Sequence, residues 1–240
     1  MPRFFISHEI DESYTLTGES ASHAIKSLRM QTGETLTLCS PSSTDYLCEI
    51  VSVSKDCADV RLLSKQPCQN EPDVKITLYQ GLPKGDKLDF TVMKAVETGV
   101  CEIVPVITAR SISRPDAKAS EKKLERLQKI ALEAAMQCGR GIIPTVKPII
   151  SFSESLKSFG QHEMPIVFYE MGGQRLAEIM TKKYSDIAIF IGPEGGFEPD
   201  EIASLVSKGA KKATLGNRIL RTETAPIVAV SALMFITGNL

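Results

Sequence analysis

The sequence predicts an α/β protein in two parts: a small β-barrel over residues 1–71 and a larger domain over 72–240, built on a largely parallel sheet. Three observations predict it. Short alternating apolar runs at 3–7, 35–39, 46–53 and 58–63 are separated by Gly, Pro, Ser and Asp clusters, the pattern of half-buried strands. Residues 65–72 hold two prolines and little apolar content, which reads as a linker. Beyond them strand-like and helix-like segments alternate, and the strands are apolar and β-branched, as a parallel sheet covered on both faces requires.

One helix, 20–29, interrupts the barrel strands, with Ala21, Ala24, Ile25 and Leu28 at helical spacing. In the larger domain 76–80 reads as a strand, 87–97 as a helix burying Leu88, Val92, Ala95 and Val96, and 102–107 as the next strand. Ser120 is the expected cap of a long helix reaching about Cys138, with Leu124, Leu127, Ala131 and Ala134 inward. Strands recur at 166–169, 187–191 and 212–215, with helices between them and after the last. The final helix carries no charge to the chain end, so sheet, another subunit or both must cover it. Parallel sheets bind ligands beyond the carboxyl ends of their strands, and the site is predicted in those loops.

Composition is that of an ordinary globular chain: 240 residues, 42% hydrophobic and 24% charged. Residues 1–12 are too acidic and too short in apolar length for a signal peptide, and the uncharged run 225–240 is too short to span a bilayer. A soluble, cytoplasmic protein without a membrane partner is expected. The cysteines at 39, 48, 57, 68, 101 and 138 have no zinc-type spacing and His8, His23 and His162 are scattered, so reduced thiols and no metal are expected. Net charge is −1, but residues 84–147 hold 12 Lys and Arg against 8 acids, while 1–71 hold 6 against 10. The middle of the chain is locally basic.

Two segments carry candidate chemistry. In IGPEGGFEPDEI, 191–202, a strand ends in a turn with three glycines in five residues, and Pro199, Asp200 and Glu201 open the next helix. The pattern is neither GxGxxG nor a P-loop, and Glu194 would repel a pyrophosphate. Taken alone, this is equally an ordinary loop before a helix. In LGNRILRTETA, 215–225, Arg218, Arg221 and Glu223 lie close together ahead of the last helix, which Thr222 or Thr224 can cap.

The pair GPEGGF at 192–197 and LGNRILRTETA at 215–225 resembles the signature of the SPOUT methyltransferases, more narrowly the ribosomal RNA small subunit methyltransferase E family. KGDKL at 84–88, KAVETGV at 94–100, EAAMQCGR at 133–140, RFF at 3–5 and HAIKSLR at 23–29 agree with that family in order along nearly the whole chain. The resemblance implies a C-terminal SPOUT domain with a deep trefoil knot, a PUA-like N-terminal barrel that helps grip RNA, and a homodimer formed through the C-terminal domain. It implies S-adenosylmethionine as cofactor, held by Tyr169, Gly192, Gly196, Leu215, Gly216, Leu220 and Ala225. The implied reaction is methylation of uridine N3 in 16S ribosomal RNA, with naked RNA or the small subunit as substrate. The alternative is a non-enzymatic RNA-binding protein on the same scaffold.

That reaction needs alignment of the uracil N3 with an electrophilic methyl, and it needs no metal. Arg221 is the expected donor to the charge spreading onto O2 and O4, and Glu223 or a water the expected proton acceptor; a local ion pair holding the loop is the competing reading of both. Arg3, Lys26 and Arg29, then Lys84, Lys87, Arg110 and Arg140, are the expected phosphate grips. Lys122, Arg126 and Lys129 read instead as a solvated helix stripe.

Overall fold

In the computed structural model, which describes residues 1–240, the chain divides into two compact units, Met1–Glu71 with Ala135–Ile143, and Pro72–Ala134 with Pro144–Leu240. The first is a five-stranded sheet in the order β1-β3-β4-β5-β2, formed by β1 (Arg3–Phe5), β2 (Ser13–Leu16), β3 (Thr35–Cys39), β4 (Thr44–Val53) and β5 (Ala58–Pro67). Alternate residues point inward, so Leu36, Leu38, Cys48, Ile50 and Val60 make a core with Phe4, Ala21 and Ala24. The predicted linker begins later than expected: β5 pairs with β4 as far as Thr44 opposite Pro67, whose missing N–H ends the ladder. The predicted helix over 20–29 is two short pieces, α1 (Gly18–Ser22) and a wider π turn (His23–Ser27), and Leu28 lies exposed beyond them.

Charge inside this unit is committed to structure. The Arg3 guanidinium donates two 2.6 Å bonds to the Asp45 carboxylate and a 3.2 Å bond to the Arg140 carbonyl, with only 8% of its side chain exposed. Arg140, 4% exposed, pairs with Glu71 at 2.7 Å, and Glu71 also accepts from the backbone N–H groups of Gly141 and Ile142. Both guanidiniums are buried and paired with carboxylates, away from where a phosphate could reach them, which corrects the sequence expectation for both. A buried arginine satisfies its own desolvation with carboxylates, and no spacing rule reveals which arginines those are. Segment 135–143 belongs to this unit because Cys39 Sγ and Asn70 Nδ2 donate to its carbonyls and Met136 packs on its core. Burial raises the Cys39 thiol to about 12 and Cys48 to about 11, and all six cysteines are free.

The second unit is an all-parallel seven-stranded sheet in the order β12-β10-β11-β6-β7-β8, with β9 also on β7. Its strands are β6 (Lys75–Gly81), β7 (Glu102–Ile107), β8 (Thr145–Val146), β9 (Ile150–Ser151), β10 (Met164–Phe168), β11 (Asp186–Ile191) and β12 (Lys211–Ala213). The helices are α2 (Lys87–Glu97), α3 (Ala117–Cys138), α4 (Phe152–Phe159), α5 (Leu176–Ile179), α6 (Pro199–Ser207) and α7 (Ala225–Thr237). On one face Tyr79, Val104, Val167, Ala188 and Phe190 pack with Phe159, Phe197 and Leu205 from the α4 and α6 side. Their neighbours in the chain, such as Leu78, Ile166 and Ile189, are also fully buried, as both faces of a covered parallel sheet must be. Helix α3 starts earlier than Ser120: Asp116 accepts from Ala119 N–H, an acidic cap that was overlooked because Lys118 and the alanines beside it carry no apolar period. No helix is long and apolar enough to cross a membrane.

Replacing Asp45 by Asn leaves a buried guanidinium without its counter-charge. The expected cost is about 3 kcal/mol, read as a lower urea midpoint by circular dichroism; an unchanged midpoint would mean that the pair is dispensable.

Candidate active site

The carboxyl ends of β10, β11 and β12 open into a cavity of about 570 Å³. Its walls are the turn after β10, the glycine-rich turn after β11 and the segment between β12 and α7. All seven residues that the resemblance placed against the cofactor, Tyr169, Gly192, Gly196, Leu215, Gly216, Leu220 and Ala225, line this one cavity. Arg221 and Lys87 line it too.

Backbone approach explains the glycines. A Cβ on Gly81, at the end of β6, would sit 2.5 Å from Pro193, so only glycine lets β6 and the turn after β11 lie against each other. Gly196 has φ +68°, and a Cβ there would meet the Glu170 carboxylate at 2.3 Å. Gly216, at φ +100°, turns the chain into the 215–225 segment, and Thr214 Oγ1 accepts from its N–H. Tyr169 N–H donates to the Ala213 carbonyl, and Gln174 N–H to Lys212, which seats the turn after β10 on β12.

One hydroxyl joins the two signature segments. Thr222 Oγ1 donates to the Gly192 carbonyl at 2.8 Å and accepts from Gln80 Nε2 at 3.1 Å, and both side chains are buried. Thr222 therefore does not cap α7, and Thr224, at the cap position, makes no side-chain cap bond. Gln80 and Thr222 were missed as site residues; a buried glutamine at a strand end beside a glycine was the available signal.

The charged residues divide sharply. Arg221 is exposed and makes no ion pair, so its guanidinium is free at the cavity. Glu223 stands behind the wall, 18% exposed, with its Oε2 3.7 Å from Lys87 Nζ. Lys87 Nζ also donates to Glu194 at 2.8 Å, and that bond holds the ammonium above its usual range. Burial pushes the Glu194 carboxyl up, but Lys87 and the Lys84 N–H outweigh it, leaving the carboxyl below the ordinary value. Arg110 donates to both Glu198 oxygens and to the Gly195 carbonyl, so it braces the glycine turn instead of waiting for phosphate. The Glu198 bond raises Arg110 and lowers Glu198. Lys26, Arg29 and Lys84 remain exposed, and their side chains make no ion pair.

Thr222→Val keeps the volume and removes the bridge, leaving the Gly192 carbonyl only a 3.5 Å contact from Gln80 Nε2, which keeps its bond to the Gly81 carbonyl. A loss of about 1–3 kcal/mol is expected in urea unfolding; stability within error of the unaltered chain would refute the bridging role.

Comparison with known proteins agrees with this geometry. Residues 70–234 match the RNA methyltransferase domain family and residues 16–63 the RNA methyltransferase PUA domain family. Ribosomal RNA small subunit methyltransferase E of Bacillus subtilis is 35% identical over 99% of this chain and 97% of its own length. Its counterpart in Buchnera aphidicola is 30% identical over 100% of this chain and 95% of its own length. The crystal structure of ribosomal RNA small subunit methyltransferase E from Neisseria gonorrhoeae, bound to S-adenosyl methionine, superposes with a TM-score of 0.88 at 32% identity, covering 98% of both chains. With its sheet, its glycine turn and its 215–225 segment accounted for, this chain belongs to the ribosomal RNA small subunit methyltransferase E family of RNA methyltransferases.

Proposed function

We propose that this protein transfers a methyl group from S-adenosylmethionine to N3 of a uridine in 16S ribosomal RNA, acting in the cytoplasm as a homodimer. The observation that carries the reading is the convergence of Tyr169, Gly192, Gly196, Leu215, Gly216, Leu220 and Ala225 on one cavity with an unpaired arginine at its edge.

The residues present fit the cofactor. The cavity is within the size range of small-molecule sites, and its glycines offer backbone to an adenosine and a methionyl chain. Glu170 and Glu194 on its wall put negative charge near a cationic sulfonium, where a pyrophosphate would be repelled. When bound, S-adenosylmethionine supplies an electrophilic methyl. The chain's own task is to hold uracil in line and manage one proton. Arg221 donates to O2 or O4 as charge spreads there, and Glu223 takes the N3 proton through one water, since its carboxylate stands behind the cavity wall.

The deep trefoil knot belongs to the same reading, in which the 215–225 segment passes through the loop that the glycine turn helps to close; the Thr222 bonds to Gly192 and Gln80 support it. The dimer is supported by the uncovered apolar side of α7, where Phe235 is 73% exposed beside Ile236 and Val228. Lys26, Arg29 and Lys84 are the phosphate grips that keep free ammonium or guanidinium groups.

Arg221→Ala is expected to slow single-turnover methyl transfer to small ribosomal subunits about 10²-fold, and Glu223→Gln by a similar factor, with folding intact. Near-normal rates in both would reject the assigned roles. Reversing Lys26 and Arg29 to Glu should weaken RNA binding and lower the slope of log affinity against log salt by about two. An unaltered slope would remove both residues from the interface.

A further inference from the structure

We propose that Lys87 is a positioning residue that latches the glycine-rich turn to the segment before α7, and that it makes no contact with RNA. This rests on reading the cavity as the S-adenosylmethionine site. Lys87 opens α2, where a cation faces the positive end of the helix dipole and is disfavoured. A residue that breaks a local rule without an evident structural gain is expected at a functional site. What offsets the misfit here is a carboxylate on each side: Glu194 at 2.8 Å from the glycine turn and Glu223 at 3.7 Å from the segment before α7.

The surrounding charges leave no other partner for that ammonium. Asp86 and Asp89, at the same end of α2, turn to Arg126 on α3. Arg221 faces Lys87 from the cavity side and repels it mildly, and the Lys84 side chain is free while its N–H joins Lys87 on Glu194. The arrangement is carboxylate, ammonium, carboxylate, spanning two chain segments that are far apart in sequence. Glu223 Oε2 is buried and accepts no hydrogen bond; Lys87 is the cation that stands against it, and the ion pair is what orients it.

Removing the ammonium has two separable consequences. The two walls lose a tie, which loosens the cofactor cavity. Glu223, the proposed proton acceptor, also loses the ion pair that orients it, so kcat falls together with cofactor affinity.

The test compares the full-length protein with Lys87→Met and Lys87→Arg. S-adenosylmethionine affinity is measured by calorimetry, kcat and cofactor KM with unmethylated small subunits, and RNA affinity against salt. The latch predicts that Lys87→Met weakens cofactor binding about fivefold, lowers kcat, leaves the RNA salt slope unchanged, and is largely restored by Lys87→Arg. A salt slope reduced by about one, with cofactor affinity and kcat unaltered, would make Lys87 a phosphate grip and overturn the latch. Unaltered cofactor affinity, or equal losses in both variants, would also overturn it. If the unaltered protein itself fails to bind S-adenosylmethionine, the reading of the cavity falls, and the latch with it.

Discussion

The walls of the site are joined through a single hydroxyl. Thr222 Oγ1 gives its proton to the Gly192 carbonyl and takes one from Gln80, so three chain segments meet at one atom: the end of β6, the glycine turn after β11, and the approach to α7. The surroundings are buried, and a donor or acceptor left unmet there costs more than an ordinary hydrogen bond contributes. Gly81 makes the arrangement sterically admissible, since any side chain on it would collide with Pro193. Position and exclusion together give the cavity its fixed wall.

Around that wall the charges fall into two groups, and the division is chemical. Arg110 and Lys87 are committed to carboxylates and carbonyls that shape the glycine turn. Arg221 is uncommitted and faces the cavity. A guanidinium already satisfied by carboxylates gains little from developing charge on a base, whereas a free one held nearby gains fully. The site thus separates cations that build it from the cation available to act in it.

The parallel sheet was legible because its central strands are apolar and buried throughout: 102–107 has the predicted bounds, as does helix 87–97, and 187–191 differs from β11 by one residue. Two prolines put the expected boundary near 71, but no sequence signal pointed to the return of 135–143 to the first unit, which rests on Cys39, Asn70 and Glu71 reaching carbonyls and N–H groups across the sequence. The cavity residues came from matching two motifs; their chemistry alone left an ordinary loop as an equal reading. What no motif conveyed was which cations are spent internally. Arg3, Arg140, Arg110 and Lys87 look identical in sequence to Lys26 and Arg29, and only partner geometry tells them apart.

That distinction also resolves the awkward charge of the first unit, whose first 71 residues hold more acids than cations. Regional totals are a poor guide when the acids are engaged: Asp45 and Glu71 hold arginines, Glu49 holds Arg61, Glu9 accepts from Tyr46 and Ser42, and Asp59 accepts from Thr15 and Ser52. Ion-paired acids project little field beyond their partners, and at physiological salt exposed charges are screened within about 8 Å. The field is therefore local. On the turn from His23 to Arg29, Lys26 and Arg29 are exposed without a carboxylate bound to either, and Arg29 is held at φ +55°. A unit acidic in sum can still present a basic edge, provided some of its acids are paired and its free cations share one turn.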